Sequence, residues 1–231
     1  MQLELEHISK RYKDKLALED VCVTMNPGVN GLLGPNGAGK STLMGILTKN
    51  LMATSGIVRA DGKDISRLGK EYMSKLGFAP QQQNMYPSFT GIRFMYYMAA
   101  LKGIPKKQAK SQIETLLKKV NLWEDAGRKI GRYSGGMKQR LLVAQAMLGN
   151  PQLILLDEPS AGLDPKERVH LRNLIEEIAE GRIVVVATHI ISDIESIADD
   201  IFFLKEGKLK EVSWKKGNTL ESLYLEEFGN A

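Results

Sequence analysis

Residues Gly34-Pro35-Asn36-Gly37-Ala38-Gly39-Lys40-Ser41 fit the pattern G-x-x-x-x-G-K-[ST], and few segments this short restrict a fold so tightly. The pattern requires a buried strand before it and a helix after it. The run from Val29 to Leu33 ends in Leu32-Leu33 directly before the loop and reads as that strand. Ser41 to Thr48 (STLMGILT) reads as an apolar helix opening. Backbone N–H groups of a glycine-rich turn form a concave anion site, and the following helix adds its positive N-terminus. Asn36, Gly37, Ala38, Gly39, Lys40, Ser41 and Thr42 are then the phosphate-binding candidates. Lys40 reaches the β- and γ-phosphates of a nucleoside triphosphate, and the Ser41 hydroxyl binds Mg²⁺. The competing reading is a glycine-rich turn with no ligand.

A chain of 231 residues can hold one large domain or a domain with an inserted lobe, and 43% hydrophobic with 26% charged residues is a globular balance. Apolar stretches such as Leu141 to Leu148 and Ile183 to Ala187 fall far short of the roughly 18–20 residues of a membrane span. Glu4 and Glu6 interrupt the first apolar segment, so no secretory signal is expected. The lone Cys22 permits no internal disulfide, and a cytosolic protein is expected. The net charge of +5 is modest. Lys106, Lys107, Lys110, Lys118 and Lys119 punctuate one predicted helix; Lys205, Lys208, Lys210, Lys215 and Lys216 crowd the C-terminal part. These lysines read as solvated surface, or else as contacts to an acidic membrane surface or nucleic acid. No aromatic-plus-basic RNA motif accompanies them, and nucleic acid is not an expected partner.

Strands and helices alternate, which predicts an α/β fold with a mostly parallel sheet. Leu3-Glu4-Leu5-Glu6 alternates like a half-exposed strand, and Val21-Cys22-Val23-Thr24-Met25 is placed to pair with it, giving an antiparallel N-terminal portion. Leu153 to Leu156 and Ile183 to Ala187 are unbroken apolar runs of buried-strand type. Between about Asn84 and Gly149 the pattern turns helical, with Ile113, Leu116, Leu117 and Val120 on one apolar face. This predicts a nucleotide-binding core over 1–84 and 150–212, an inserted helical lobe over 85–149 and a tail over 213–231. A further helix is predicted after Asp164, with Pro165 in its first turn and Glu167 completing an Asp-x-x-Glu box. Its buried stripe is Leu171, Leu174, Ile175 and Ile178.

Four apolar residues, Leu153 to Leu156, deliver Asp157 and Glu158 to a strand tip. Asp157 is thereby suited to hold Mg²⁺ with Ser41, and Glu158 to take a proton from an attacking water. A strand also ends in acids where the chain simply re-enters solvent. Upstream, Tyr133-Ser134-Gly135-Gly136-Met137-Lys138-Gln139-Arg140 opens an apolar helix. By itself, Ser-Gly-Gly there is an ordinary N-cap.

With these motifs in this order, the chain resembles the ATP-binding subunits of ABC (ATP-binding cassette) transporters over nearly its whole length, roughly Leu3 to Lys208. The resemblance implies a P-loop NTPase core of RecA-like type. It also implies that Ser134, Gly135 and Gly136 of one subunit close over the γ-phosphate held by another, in a head-to-tail dimer around two ATP. Gln81 matches the glutamine that senses Mg²⁺ and links the site to a membrane subunit; Gln82 and Gln83 leave its register open. Ser160-Ala161-Gly162-Leu163-Asp164 matches the loop that crosses between subunits. His189 matches the histidine at the γ-phosphate, although a lone strand-end histidine is usually structural. Tyr12 matches the aromatic that stacks on adenine, with an edge-strand tyrosine as the alternative. His7, His170, Cys22, Trp123 and Trp214 take no role. Two departures stand out: YSGGM replaces LSGGQ, and Arg93 reverses a charge expected near the membrane-subunit contact.

The function implied is that of a Mg-ATP-hydrolysing motor subunit, peripheral on the inner face of the cell membrane, that energises a separate integral membrane subunit. Glu158 is the expected base, with Lys40 and His189 on the γ-phosphate; whether the dimer pairs identical chains is open. Gly31 to Gly37 and Tyr96 to Gly103 look like the exporter-associated branch (drug, antibiotic or peptide efflux). Met85 to Leu101 is expected either to line a groove for the membrane partner or to form lobe core. Two rivals remain: a soluble single-cassette assembly or regulatory factor, and a nucleotide switch that does not hydrolyse. Glu158 speaks against the second.

Overall fold

A computed structural model describes residues 1–81, 85–214 and 219–229. Gln82, Gln83, Lys215 and Lys216 therefore lie outside the described residues. In chain order the strands are β1 (Leu3–Tyr12), β2 (Lys15–Met25), β3 (Gly28–Leu33), β4 (Ser55–Ala60), β5 (Lys63–Asp64), β6 (Leu76–Ala79), β7 (Leu153–Asp157), β8 (Ile183–Thr188), β9 (Asp200–Lys205) and β10 (Lys208–Glu211). The helices are α1 (Lys40–Leu47), α2 (Ile65–Leu68), α3 (Lys70–Ser74), α4 (Gly91–Leu101), α5 (Lys106–Lys119), α6 (Gly135–Ala146), α7 (Pro165–Ala179) and α8 (Leu220–Phe228).

Two sheets organise the chain. A four-stranded antiparallel sheet runs β2-β1-β4-β5, and Leu3 pairs with Met25 as the alternation anticipated. A six-stranded sheet runs β10-β9-β3-β8-β7-β6, parallel except for the edge strand β10. This is the mixed α/β fold predicted.

The unbroken apolar runs of β7 and β8 have a simple cause. Successive side chains of a strand point to opposite faces, and both faces of this sheet are buried. Ile154, Leu156, Val184 and Val186 join a core shared with α6 and α7, while Leu153, Leu155, Val185 and Ala187 join one shared with α1 and the antiparallel sheet. Polar residues at either set of positions would cost desolvation on one side or the other.

Helix α5 buries Ala109, Ile113 and Leu117, and Leu116 is only half-buried at the edge of that face. Helix α6 differs: Leu141, Leu142, Val143 and Ala144 are all buried, so it runs through the middle of the helical region with no solvent stripe. Asp164 caps α7 by accepting from the Glu167 N–H at 2.8 Å. The reciprocal half of the expected box is replaced, because the Glu167 carboxylate pairs with Arg140 at 3.2 Å and packs on Gly136. Near the C-terminus, Tyr224 and Phe228 of α8 pack around Phe203 of β9.

Candidate active site at the strand ends

The parallel order sets three strand tips side by side. Leu33 of β3 lies opposite Thr188 of β8, and Ala187 lies opposite Asp157 of β7. The segments that follow these strands must share one space. They are the loop Gly34 to Gly39, then Glu158, then His189.

The loop is shaped by its glycines. Gly37 and Gly39 have φ of 84° and 117°, left-handed values that side chains resist. A Cβ on Gly39 would also lie 2.6 Å from the Ala17 carbonyl oxygen, whereas one on Gly37 would meet nothing. Gly39 thus lets the loop pass close to β2, and Gly37 sits at the open lip. No side chain caps α1, which leaves its first-turn N–H groups directed at the concavity.

Charged groups converge below that loop. Lys40 is buried; its ammonium donates to the Gly34 and Pro35 carbonyls at 2.6 and 3.2 Å and lies 3.4 Å from Glu158 Oε1. The Ser41 hydroxyl donates to Asp157 Oδ2 at 3.1 Å. Burial pushes the Asp157 carboxyl above its usual range, the Ser41 bond opposes this, Glu158 adds to it and Lys40 opposes it. Glu158 is 4% exposed and holds φ of 48°, uncommon for any residue but glycine. Its N–H is fixed to the Ala187 carbonyl at 2.8 Å. Its carboxylate lies within 3.0 Å of His189 Nδ1 and 3.3 Å from the Thr188 hydroxyl. A carboxylate this deep needs such partners.

A cavity of about 240 Å³ opens over these groups. Tyr12, Asn36, Gly37, Gly39, Lys40, Ser41 and Thr42 line it, as do Gln81, Asp157 and Glu158. Ala38 lies buried behind the loop, and His189 reaches the site through Glu158 rather than by lining the cavity. Ser41, Asp157 and Gln81 offer only oxygen donors toward a cation, a set that suits Mg²⁺. The lining also includes Lys15 and Ala17, which the sequence reading passed over. Lys15 faces Tyr12 across the β1–β2 turn, a hairpin proximity readable in principle.

Ser134, Gly135 and Gly136 are not brought to this cavity. Ser134 caps α6, accepting from the Met137 N–H at 3.1 Å, and both it and Gly135 are exposed. Gly136 packs against the Glu167 carboxylate, which a side chain at this position would displace. Tyr133 is buried, and its hydroxyl donates to the Asp125 carbonyl at 2.8 Å. The sequence reading also missed Thr188 and Asp193, two buried polar residues behind Glu158. No short motif marks them; a threonine ending an apolar strand is the faint signal.

Comparison with known proteins agrees with this geometry. The family described as ABC transporter matches residues 18–161. The lantibiotic transport ATP-binding protein SrtF of Streptococcus pyogenes is 35% identical over 225 residues, covering 96% of this chain and 95% of that protein. A solved structure described as the ATP binding subunit of an ABC transporter has a TM-score of 0.87 at 25% identity, covering 98% of this chain and 99% of that one. A dimeric ATP-binding cassette in a post-hydrolysis state, bound to ADP and Pi, has a TM-score of 0.82 at 28% identity, covering 94% of this chain and 100% of that one. With its glycine-rich loop, buried acids and strand-end histidine gathered at the tips of neighbouring strands, the chain belongs to the ABC transporter family, as an ATP-hydrolysing ATP-binding subunit.

Proposed function

We propose that this chain is a motor subunit that dimerises around two ATP molecules and energises export by a separate membrane-spanning subunit. One observation carries the dimer: the exposed Ser134 and Gly135 lie away from the cavity that holds Lys40, Ser41 and Glu158. A phosphate held in one copy can gain a helix N-terminus of this kind only from a second copy. Either an identical chain or a close relative could supply it.

In this reading Tyr12 stacks on adenine, and the N–H groups from Gly37 to Thr42 hold the phosphates with Lys40. Ser41, Asp157 and Gln81 would hold Mg²⁺, which when bound neutralises phosphate charge. Glu158 accepts the proton of the attacking water, and His189, tied to Glu158 through Nδ1, contacts the γ-phosphate. ATP favours closure only so far as its γ-phosphate contacts are stronger in the closed dimer than in separate chains.

The division into core (1–84, 150–212), helical lobe (85–149) and tail (213–231) is part of this proposal. Between the first two lies a groove of about 810 Å³ whose lining includes Met73, Phe78, Met98, Leu101, Ile104 and Lys102. Its apolar walls suit a partner's amphipathic helix. Only the end of the Met85–Leu101 segment lines this groove. Phe94, Met95 and Ala99 are lobe core, and Tyr86, Phe89 and Tyr97 cluster with Arg93 stacked 4.1 Å over Phe89. No described helix is long and apolar enough to cross a membrane. In this reading the spanning part is a separate chain, and the site of action is the cytoplasmic face of the membrane. The similarity to SrtF, a lantibiotic transport ATP-binding protein, supports a transport role.

The test is capture of tagged Glu158→Gln protein with ATP from detergent-solubilised native membranes, followed by mass spectrometry. A stoichiometric multi-span membrane protein is the expected result. Reproducible recovery of soluble proteins alone would replace this reading with that of an assembly factor.

A further inference from the structure

A buried polar cluster behind the site is used by none of the roles above. Asp193 ends a short 3-10 turn, Ile191–Asp193, that follows β8, and it is 4% exposed. Its Oδ2 accepts from the Ser160 hydroxyl, in the loop after β7, and lies 3.4 Å from the Thr188 hydroxyl. Its Oδ1 is buried without a hydrogen-bond partner, the Arg168 guanidinium standing off at 4.0 Å. The Thr188 hydroxyl also lies 3.3 Å from Glu158 Oε2 and accepts from the Ile190 N–H at 3.1 Å.

A hydroxyl has one proton to donate. Thr188 therefore serves either Glu158 or Asp193, and both carboxylates are buried where a lost donor is costly. Asp193 has a second donor in Ser160, which sits at the start of the segment Ser160 to Asp164. The claim of Asp193 on the Thr188 proton rises when Ser160 moves away and falls when Ser160 stays. A threonine donating to Glu158 Oε2 pins that carboxylate and occupies one of its lone pairs. A threonine turned to Asp193 frees it.

We propose that Asp193 is a positioning residue. Through the single Thr188 proton it couples the placement of the Ser160–Asp164 loop to the orientation of the Glu158 carboxylate. The inference rests on the reading of Glu158 as the base. It names a regulatory link that the nucleotide contacts alone do not require: displacement of Ser160 at a subunit interface would release Glu158 for water. Only hydrogen bonds reorient in this step, and no proton leaves its residue.

The decisive variants are Thr188→Val, which removes the hydroxyl but keeps the branched shape, Thr188→Ser, which restores it, and Asp193→Asn. We would measure kcat, the KM for ATP, binding of a fluorescent ATP analogue, and Tm. Misplacing a base costs about 10–100-fold of the roughly 10²–10⁴-fold it supplies. The expected result is therefore a fall of about tenfold or more in kcat for Asp193→Asn, which leaves the Thr188 proton on Glu158. For Thr188→Val, which leaves Glu158 unpinned, a kcat above wild type is expected. Analogue affinity should stay within about twofold of wild type in both, with wild-type kcat in Thr188→Ser. Wild-type kcat in both variants would overturn the proposal. A fall in kcat that tracks lost affinity and lost Tm would also overturn it, since a structural role predicts that pattern. If Asp193→Asn fails to fold, the Thr188 pair carries the test. Glu158→Gln separates the two readings: brisk turnover in that variant removes the base assignment itself. A dead Glu158→Gln beside a normal Thr188→Val removes only the link through Asp193.

Discussion

Lys40 shows how one residue meets two demands. Its buried ammonium is satisfied by two loop carbonyls and by Glu158, so it is held at the strand tips where phosphate charge would collect. Losing a charge-assisted contact removes about 1.5–3 kcal/mol. Lys40→Ala should therefore weaken ATP binding by about 10–100-fold in a fluorescence titration. Affinity within twofold of wild type would refute the assigned loop. Lys102 tests burial in a different way. It donates to the Leu148 and Leu76 carbonyls at 2.8 and 3.3 Å in the groove floor, and burial draws its ammonium down to about 8 from the ordinary 10.5. Between those values the unfolded chain holds more protons than the folded one, so stability from this group rises with pH across that window. Below it, the cost of burying the ammonium is fully present. The Tm of Lys102→Met relative to wild type should thus be most favourable near pH 7 and decline as the pH rises toward about 10. A difference that is flat in pH would contradict this.

At the scale of elements, helix starts carry much of the design. Helix α1 has no side-chain cap and α6 is capped by Ser134, while α7 is capped by Asp164 with Pro165 behind it. Of these three, the uncapped start is the one facing the cavity, consistent with N–H groups reserved for a ligand. Helices α5 and α8 also start without a side-chain cap but do not line it. Replacing a cap costs about 1 kcal/mol, and in a chain of this size that is about 2–4 °C in Tm. Asp164→Ala should show this shift in a thermal melt without nucleotide; an unchanged melt would mean that α7 is held by its buried stripe alone. Several features of these elements could be read from sequence. Asp-Pro before an apolar stripe announced α7, and the runs of β7 and β8 announced a sheet buried on both faces. The destination of the Glu167 carboxylate could not be read, because Arg140 meets it only through tertiary packing.

For the molecule as a whole, the geometry leaves the Ser134-Gly135-Gly136 segment and the phosphate cavity of one copy apart. Wild-type turnover would reopen the dimer, so Glu158→Gln with Mg-ATP should migrate as a dimer in gel filtration with light scattering. Adding Ser134→Ala should weaken that dimer by about tenfold if one hydrogen bond to phosphate is lost. A monomer at every ATP concentration would sink the proposed assembly, and a dimer formed equally without ATP would sink its coupling to nucleotide.

Short-range chemistry made the phosphate loop, the acidic strand tip and the helix starts readable from sequence, because each depends on residues within a turn or two of one another. Family resemblance supplied the order in which to join them. What only the tertiary structure decided is which strand tips are neighbours, and hence that Lys40, Glu158, His189 and Thr188 meet at one point. Strand order is set by burial of both sheet faces across the whole chain, and no local pattern encodes it. The same holds for Asp193: an acid on a short turn looks like solvated surface in sequence, and only folding buries it against Ser160 and Thr188.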